Sequence, residues 1–151
     1  MQVKSFAIWA NAEKEQVPAL VQSTIKWANE NNLEVYLADR LKSIDVDSKV
    51  SYFSSQNPPE VDFLLCFGGD GTLISGVRIF SDPSVPVLGV HLGGLGFLAQ
   101  ITPEVLIDKL ESVKKNEFKI QDRLVLSAKI SGNEDSYYAC LLYTSDAADD
   151  C

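Results

Sequence analysis

Apolar and polar positions alternate along the chain with the periods of strands and helices. Four apolar runs have the length of buried strands: residues 3–10, 33–38, 61–67 and 85–90. Between the first two runs, residues 15–29 carry apolar side chains at helical spacing, and Asn31 with Asn32 is typical of a helix end. Strands that alternate with helices predict an α/β fold with a doubly wound, mostly parallel, Rossmann-like sheet.

Two further helices are predicted later in the chain. Apolar side chains recur at helical spacing over residues 73–80, directly after the glycine-rich residues 68–72. Residues 102–104 (Thr-Pro-Glu) favour a helix start, because they offer a hydroxyl cap, a proline and an acidic side chain in the first turn. Residues 39–60 are polar and are predicted to form a loop with room for one short element.

The pattern changes after Asp122. Residues 124–130 alternate between apolar and polar side chains, residues 131–135 contain turn formers, and residues 137–141 could return as an antiparallel strand. We therefore expect an α/β domain, the first hairpin of a truncated β-rich domain, and a non-native tail. The expected division is residues 1–122 for the first, 123–141 for the second and 142–151 for the tail.

The composition fits a soluble globular chain. Hydrophobic residues make up 46% and charged residues 23% of the 151 positions, which is enough to bury a core. The net charge of -8 argues against a nucleic-acid or anionic-membrane partner, since phosphate binding needs clustered Lys and Arg. The absence of a leader peptide, a transmembrane run and paired cysteine spacing favours a reduced, cytoplasmic location.

Residues 68–72 (Gly-Gly-Asp-Gly-Thr) carry the clearest chemistry, because they lie between a buried strand and a helix. The glycines permit a tight turn, and the N–H groups of the turn and the helix start can bind phosphate. Beside that phosphate, Asp70 could accept a proton from a hydroxyl or hold a magnesium ion, and either role suits phosphoryl transfer. The competing interpretation is a β-hairpin, for which Asp-Gly is a strong signal.

A second glycine-rich segment, residues 89–98, follows the next strand. Open α/β sheets bind ligands at the carboxyl ends of their strands, so this segment could border the same site. Phe97 could line a pocket for an aromatic base, or it could cap the core together with Leu98. His91 is expected to be a hydrogen-bonded loop residue, since no carboxylate partner is evident.

Together these segments resemble the NAD kinase (ATP-NAD kinase) family. GGDGT at residues 68–72 is similar to the family signature, although diacylglycerol-type lipid kinases and phosphofructokinases carry close relatives of it. GVHLGGLGFLAQI at residues 89–101 is similar to the second motif of the family. Residues 123–126 (Arg-Leu-Val-Leu) resemble the opening of its second domain, so the resemblance spans residues 1–141.

The resemblance implies a phosphotransferase that moves the γ-phosphate of ATP to the 2′-hydroxyl of the adenosine ribose of NAD, giving NADP. By position, Asp70 would take the hydroxyl proton, Gly71 would contact the dinucleotide and Phe97 would contact the adenine. The residues that would shape the phosphate loop are Gly68, Gly69 and Thr72. The implied cofactors are ATP, NAD and a divalent metal such as Mg²⁺, and full-length members are generally homo-oligomers.

The chain also departs from the family pattern. Gly94 and Ser75 stand where many members carry basic residues, and His91 stands where many carry Asn. The Asn-Asp or Asn-Glu pair expected after residue 141 is missing, so the chain as written is expected to be inactive. A lipid or sugar kinase with the same loop and a nucleotide-binding module without catalysis stay open as alternatives.

Overall fold

The computed structural model describes residues 1–46, 50–80, 82, 84–94, 96–99 and 101–140, so the expected tail at residues 142–151 lies outside the described residues. The strands are β1 Ser5–Ala10, β2 Glu34–Ala38, β3 Ser51–Phe53, β4 Phe63–Gly68, β5 Val87–His91, β6 Val125–Lys129 and β7 Ser136–Cys140. The helices are α1 Val17–Glu30, α2 Asp70–Ile79 and α3 Leu106–Lys114. In this part of the chain, no helix has both the length and the apolarity that a membrane crossing needs.

Strands β1 to β5 form one parallel sheet in the order β3-β2-β1-β4-β5. The central strand β1 pairs with β2 on one side and with β4 on the other, so that Phe6 lies opposite both Val35 and Phe63. The connections run in one direction from β1 to β3 and in the other from β4 to β5. Ligands of open α/β sheets bind where the direction reverses, which here is the carboxyl edge between β1 and β4.

Helices cover both faces of the sheet, because successive side chains of a strand point to opposite faces. On one face the rings of Phe6 and Phe63 stack at 4.9 Å, and the ring of Trp27 in α1 lies 6.5 Å from that of Phe6. On the other face α2 approaches so closely that a Cβ on Gly76 would lie 3.0 Å from the Trp9 ring. The predicted doubly wound, mostly parallel fold is therefore confirmed.

The hydrophobic core lies around the central strands. All six residues of β4 are buried, as the continuous apolar run predicts for a strand covered on both faces. Cys66 in this strand is 2% exposed, and burial raises the pKa of its thiol, so it packs as a small hydrophobic residue. Helices α1 and α3 are joined by a hydrogen bond of 2.6 Å from Trp27 Nε1 to Glu111 Oε1.

Two local features differ from the sequence-based expectation. The polar residues 39–60 contain two short elements, a 3₁₀ turn at Asp39–Leu41 and the edge strand β3. Thr102 precedes a 3₁₀ turn at Pro103–Val105 that leads into α3, and its hydroxyl makes no capping hydrogen bond. The predicted helix start is confirmed. The predicted hydroxyl cap is wrong, because the first turn has 3₁₀ rather than α geometry.

The chain divides into two compact units, residues 1–118 and residues from Lys119 onward. In the second unit β6 pairs with β7 in antiparallel register, with Leu126 opposite Ala139. The hairpin predicted after Asp122 is therefore confirmed. All five side chains of β6 are exposed, and the assignment of residues 123–141 to a larger β-rich domain stays a prediction.

Candidate active site

Residues 68–72 join a parallel strand to a helix. Strand β4 ends at Gly68 and α2 begins at Asp70, so a single residue separates the two elements. The hairpin interpretation is wrong, because β4 pairs in parallel with β1 and β5 and a helix follows the Asp-Gly pair. The first N–H groups of a helix have no intrahelical acceptor and carry the positive end of its dipole. Helix α2 thus presents an anion-binding terminus at the carboxyl edge of the sheet.

The carboxylate of Asp70 is held by the second glycine-rich segment. Its Oδ2 accepts a hydrogen bond of 3.0 Å from the N–H of Phe97, and its Oδ1 accepts one of 2.9 Å from the N–H of Leu98. Partial burial raises the pKa of Asp70, but hydrogen bonds from the backbone of Phe97, Leu98 and Ala99 outweigh it and leave the pKa below its usual value. The carboxylate is therefore ionised at neutral pH, and it is partly exposed rather than packed in the interior.

Four glycines around the Asp70 carboxylate fall into two classes. A Cβ on Gly68 would overlap the side chain of Thr72, and a Cβ on Gly96 would lie 2.5 Å from an oxygen of the Asp70 carboxylate. Packing therefore requires glycine at both positions. A Cβ on Gly69 or on the glycine after Asp70 would meet no atom within 4 Å. The glycines at these two positions leave open space beside the carboxylate. The packing of the protein does not require glycine there, since a side chain would meet no other atom.

Two side chains of the second glycine-rich segment have different surroundings. Phe97 is 68% exposed although Asp70 fixes its backbone, so the interpretation that Phe97 caps the core is wrong. His91 is the last residue of β5 rather than a loop residue, and its N–H donates to the carbonyl of Ile101 at 2.9 Å. The ring Nδ1 of His91 is buried without a hydrogen-bond partner among the described residues.

Backbone hydrogen bonds tie three loops together at this edge. The N–H of Asn11, after β1, donates to the carbonyl of Phe67 at 3.0 Å. The N–H of Leu92, after β5, donates to the carbonyl of Gly68 at 2.9 Å. Together with the bonds to Asp70, these contacts fix the loops after β1, β4 and β5 relative to one another, although they are distant in sequence.

Lys14 belongs to this edge and was missed from the sequence. It lies in a turn in which its N–H donates to the carbonyl of Asn11 at 3.1 Å and its carbonyl accepts from the N–H of Val17 at 3.1 Å. Its Nζ lies 3.9 Å from the position that a Cβ on Gly93 would take. No hydrogen bond or ion pair engages this ammonium within the described part of the chain. Lys14 thus brings a positive charge to the second glycine-rich segment, in which Gly94 occupies the position where a basic side chain was expected.

Ser75, a second position where a basic residue was expected, has a structural role. Its Oγ donates to the carbonyl of Thr72 and accepts from the Nε1 of Trp9, each at 2.9 Å. The guanidinium of Arg40 lies over the Trp9 ring, with its Cζ 4.3 Å from the ring centroid. Trp9 therefore connects the first turns of α2 to the end of β2.

The residues present fit a magnesium ion that is held mainly by nucleotide phosphates. Where the chain is described, no three His, Cys, Asp or Glu side chains converge on one point. Mg²⁺ does not need such a group, because it commonly binds one or two carboxylates together with substrate phosphates and water. Asp70 provides one ionised carboxylate at the anion-binding end of α2.

Residues 6–118 match the ATP-NAD kinase N-terminal domain. The NAD kinase of Syntrophotalea carbinolica is 37% identical over 128 residues, which are 85% of this chain and 45% of that protein. The NAD kinase of Sulfurimonas denitrificans is 35% identical over 132 residues, which are 87% of this chain and 46% of that protein. The chain spans about half the length of the curated relatives it matches.

Solved structures share the fold. A yeast NADH kinase complexed with NADH superposes with a TM-score of 0.74 at 19% identity, over 94% of this chain and 47% of that one. An NAD kinase from Archaeoglobus fulgidus in complex with ATP gives a TM-score of 0.52 at 20% identity, over 84% of this chain and 43% of that one. At these identities the likeness establishes the fold alone.

Proposed function

The chain belongs to the NAD kinase family, and we propose that the full-length protein transfers the γ-phosphate of ATP to the 2′-hydroxyl of the adenosine ribose of NAD. The observation that carries the proposal is the position of Asp70. It places an ionised carboxylate at the anion-binding end of α2, with open space at Gly69 and Gly71 and the exposed Phe97 ring beside it. A base, a phosphate-binding terminus and a surface for an adenine ring therefore meet at one edge.

The proposed reaction assigns each group one task. The 2′-hydroxyl of NAD donates a hydrogen bond to the Asp70 carboxylate, and its oxygen attacks the γ-phosphorus of ATP. As the new P–O bond forms, the bond to the bridging oxygen breaks, its electron pair leaves with ADP, and Asp70 takes the hydroxyl proton. The lowered pKa of Asp70 keeps its carboxylate ionised before the transfer, and after the transfer it favours the return of the proton to water.

Binding is assigned to groups that surround this carboxylate. The N–H groups at the start of α2 and the ammonium of Lys14 hold phosphate oxygens, which compensates for the shortage of positive charge in this chain. Gly71 lets the dinucleotide approach the backbone closely, because nothing of the protein fills the space beside it. Phe97 contacts the adenine. Mg²⁺ would be held by the phosphates beside the Asp70 carboxylate and would neutralise charge on the transferred group.

The direct test supplies the full-length protein with ATP and one acceptor at a time: NAD, NADH, diacylglycerol or a sugar. We expect ATP consumption to depend on NAD or NADH, with NADP or NADPH detected by a dehydrogenase specific for the phosphorylated form. Consumption with the lipid or the sugar alone would contradict the proposal, as would binding of ATP without turnover of any acceptor. The 151-residue chain is the matched control, which we expect to bind nucleotide without transferring phosphate.

Two further properties are proposed from family membership rather than from geometry. We expect the full-length protein to be a homo-oligomer and to act in the cytoplasm, where its cysteines stay reduced. Light scattering after size-exclusion chromatography measures the first property, and a monomer at micromolar concentration would contradict it. Fractionation of the source cells measures the second.

A further inference from the structure

Helix α2 carries Asp70 at its start, yet packing holds this helix only weakly. Of its 10 residues only Gly76 is buried, whereas α1 buries six of its 14 residues. The cap residue Gly69 provides no side-chain hydrogen bond, and the two glycines within α2 are poor helix formers. The first N–H groups of α2 thus stay open for an anion, so other contacts must fix the helix on the sheet.

Trp9, near the carboxyl end of β1, provides such a contact. Its Nε1 donates to Ser75 Oγ at 2.9 Å, and this hydroxyl donates to the carbonyl of Thr72, also at 2.9 Å. An indole N–H can only donate, whereas a hydroxyl both accepts and donates, so serine can join the two groups. The bonds therefore connect the central strand of the sheet to the first turn of α2, which Asp70 begins.

The indole is itself held in place from two sides. The side chain of Trp9 is 7% exposed, and its Cδ1 lies 3.0 Å from the position that a Cβ on Gly76 would take. The guanidinium of Arg40 covers the ring, with its Cζ 4.3 Å from the centroid. Gly76 brings the helix close to the indole but has no side chain that could interlock with it. The hydrogen bond to Ser75 is therefore the directional contact between Trp9 and α2.

The position of α2 matters because its carboxylate must meet a second element. Asp70 belongs to α2, whereas the N–H groups of Phe97 and Leu98 that donate to its carboxylate follow β5. A shift of α2 relative to β1 would move the carboxylate away from these donors and from the hydroxyl that it must deprotonate. Misplacement of a reacting group by about 1 Å costs about 10²-fold in rate.

We propose that Trp9 and Ser75 are positioning residues, which fix the start of α2 on the sheet and thereby the place of the Asp70 carboxylate. The inference rests on the proposed function, because it concerns the base of that reaction. Both residues act through α2 rather than on the reacting atoms. Their loss should therefore slow the transfer of phosphate more than it weakens the binding of either nucleotide.

Ser75→Ala gives the kinetic test in the full-length protein, and Ser23→Ala is its matched control. Ser23 Oγ donates to the carbonyl of Leu20, three positions earlier in α1, as Ser75 does in α2, but both indole N–H groups of the chain are engaged elsewhere. We expect Ser75→Ala to lower kcat about tenfold or more, with both KM values within a factor of about three. Ser23→Ala should change neither quantity.

Rescue and coupling distinguish positioning from a loss of folded protein. All variants are assayed at a temperature where thermal unfolding shows them to be folded. Ser75→Thr keeps a hydroxyl that can bond a carbonyl one turn back, so its kcat should lie within a factor of about three of the starting value. Trp9→Phe removes the same bond from its other end, so the double variant Trp9→Phe/Ser75→Ala should be no slower than the slower single variant. A double variant with the product of the two losses would contradict the proposal.

Amide resonances report the position of the carboxylate without any turnover. In the ¹⁵N-labelled full-length protein, we expect Ser75→Ala to shift the backbone N–H signals of Phe97 and Leu98, because both donate to Asp70. Ser23→Ala should leave both signals in place. Unmoved signals of Phe97 and Leu98 in Ser75→Ala would overturn the proposal, since the carboxylate would then keep its place without the hydrogen bond.

The two tryptophans of the chain supply an internal control in the same spectra. The indole N–H signal of Trp9 should move in Ser75→Ala, because its acceptor is lost. The indole N–H signal of Trp27 should stay, because it donates to Glu111. A Trp9 signal that stays in Ser75→Ala would show that the hydrogen bond is absent from the protein, which refutes the proposal.

The readouts separate this inference from the proposed function. If no acceptor is phosphorylated but the signals of Phe97 and Leu98 move in Ser75→Ala, the proposed function fails and the positioning role stands. If NADP is formed with the same kcat by Ser75→Ala and the starting protein, the function stands and the positioning role is refuted, whether or not the signals move.

Discussion

Two glycine-rich segments meet at the carboxyl edge of this sheet, and they need glycine for different reasons. In residues 68–72 the need comes from packing, because Gly68 lies against the side chain of Thr72. In residues 89–98 Gly89 is also needed for packing, because a Cβ on it would lie 2.6 Å from the Leu73 side chain, but Gly96 is needed for hydrogen bonding, because it lets the backbone reach the carboxylate of the first segment. One segment presents the carboxylate, and the other fixes its position.

Other glycines of the same segments have no such structural reason. A Cβ on Gly69, Gly71 or Gly94 would meet no protein atom within 4 Å. Close packing requires glycine wherever the backbone of one element touches another, but it does not require glycine here. The comparison separates the glycines that build the site from those that keep space for a ligand, and substitutions can test that separation.

Among the glycine substitutions, the largest effect is expected at Gly96. In Gly96→Ala the new Cβ would stand 2.5 Å from Asp70 Oδ1 and displace the carboxylate. A misplacement of about 1 Å costs about 10²-fold in rate, and the disturbed hydrogen bonds should lower stability by about 1–3 kcal/mol. Steady-state NADP formation and thermal unfolding of the full-length protein measure the two effects.

Gly94→Ala is the matched control for that variant, since it lies in the same segment and its Cβ would enter open space. Its stability should stay within about 0.5 kcal/mol of the starting protein. Wild-type turnover in Gly96→Ala would show that the segment does not fix the carboxylate.

The next effect distinguishes Gly68 from Gly71. Gly68→Ala forces a methyl group onto Thr72 and should destabilise the fold by about 1–3 kcal/mol, as overpacking does. Gly71→Ala lies in the first turn of α2 with no atom near its Cβ, so its stability should be unchanged or higher by up to about 1 kcal/mol. We expect Gly71→Ala to weaken NAD binding instead, as measured by calorimetry. Equal losses of stability in both variants would remove the distinction between the two classes of glycine.

A smaller effect is expected at Lys14, whose ammonium reaches the second segment from the loop after β1. Lys14→Gln should weaken nucleotide binding about tenfold with unchanged thermal stability, because a charge-assisted contact to phosphate is lost. Lys14→Arg should restore most of the affinity, and added salt should reduce the difference between variants. If Lys14→Gln bound nucleotide as tightly as the unsubstituted protein at low salt, Lys14 would not take part in nucleotide binding.

The smallest effect is expected in the dependence of stability and activity on pH. Because the folded protein lowers the pKa of Asp70, the stabilisation from its ionised form is complete above the ordinary pKa of an Asp and is lost as the pH falls toward the lower folded value. The activity should therefore show no acidic limb from Asp70 between about pH 8 and about pH 5. A limb near neutral pH that disappears in Asp70→Asn would contradict the lowered pKa.

Much of the fold could be predicted because its signals are local. The run at residues 61–67 is apolar throughout, and β4 is the strand that the sheet buries most completely. The turn at residues 68–72 could be placed between that strand and a helix for the same reason. Strand β3 could not be predicted from the sequence, because it has only three residues and two of them, Ser51 and Tyr52, are exposed at the sheet edge.

The contacts that complete the site depend on the order of strands, which the sequence does not contain as a local pattern. Lys14 stands between two glutamates in the sequence and has the appearance of an ordinary surface charge. Only the parallel pairing of β1 with β4 and of β4 with β5 brings its loop to the glycine-rich segments. The hydrogen bonds from Phe97 and Leu98 to Asp70 arise in the same way, across 27 and 28 positions of sequence.

The most direct test of the central role of Asp70 is the rate of a single turnover in Asp70→Asn, with γ-labelled ATP and NAD bound to the full-length protein. Asn keeps one oxygen to accept from the backbone of the second segment, so the fold should persist with a loss of about 1–3 kcal/mol. Removal of the base should slow the transfer about 10²–10⁴-fold. A single-turnover rate close to that of the unsubstituted protein would show that Asp70 does not take the proton of the ribose hydroxyl.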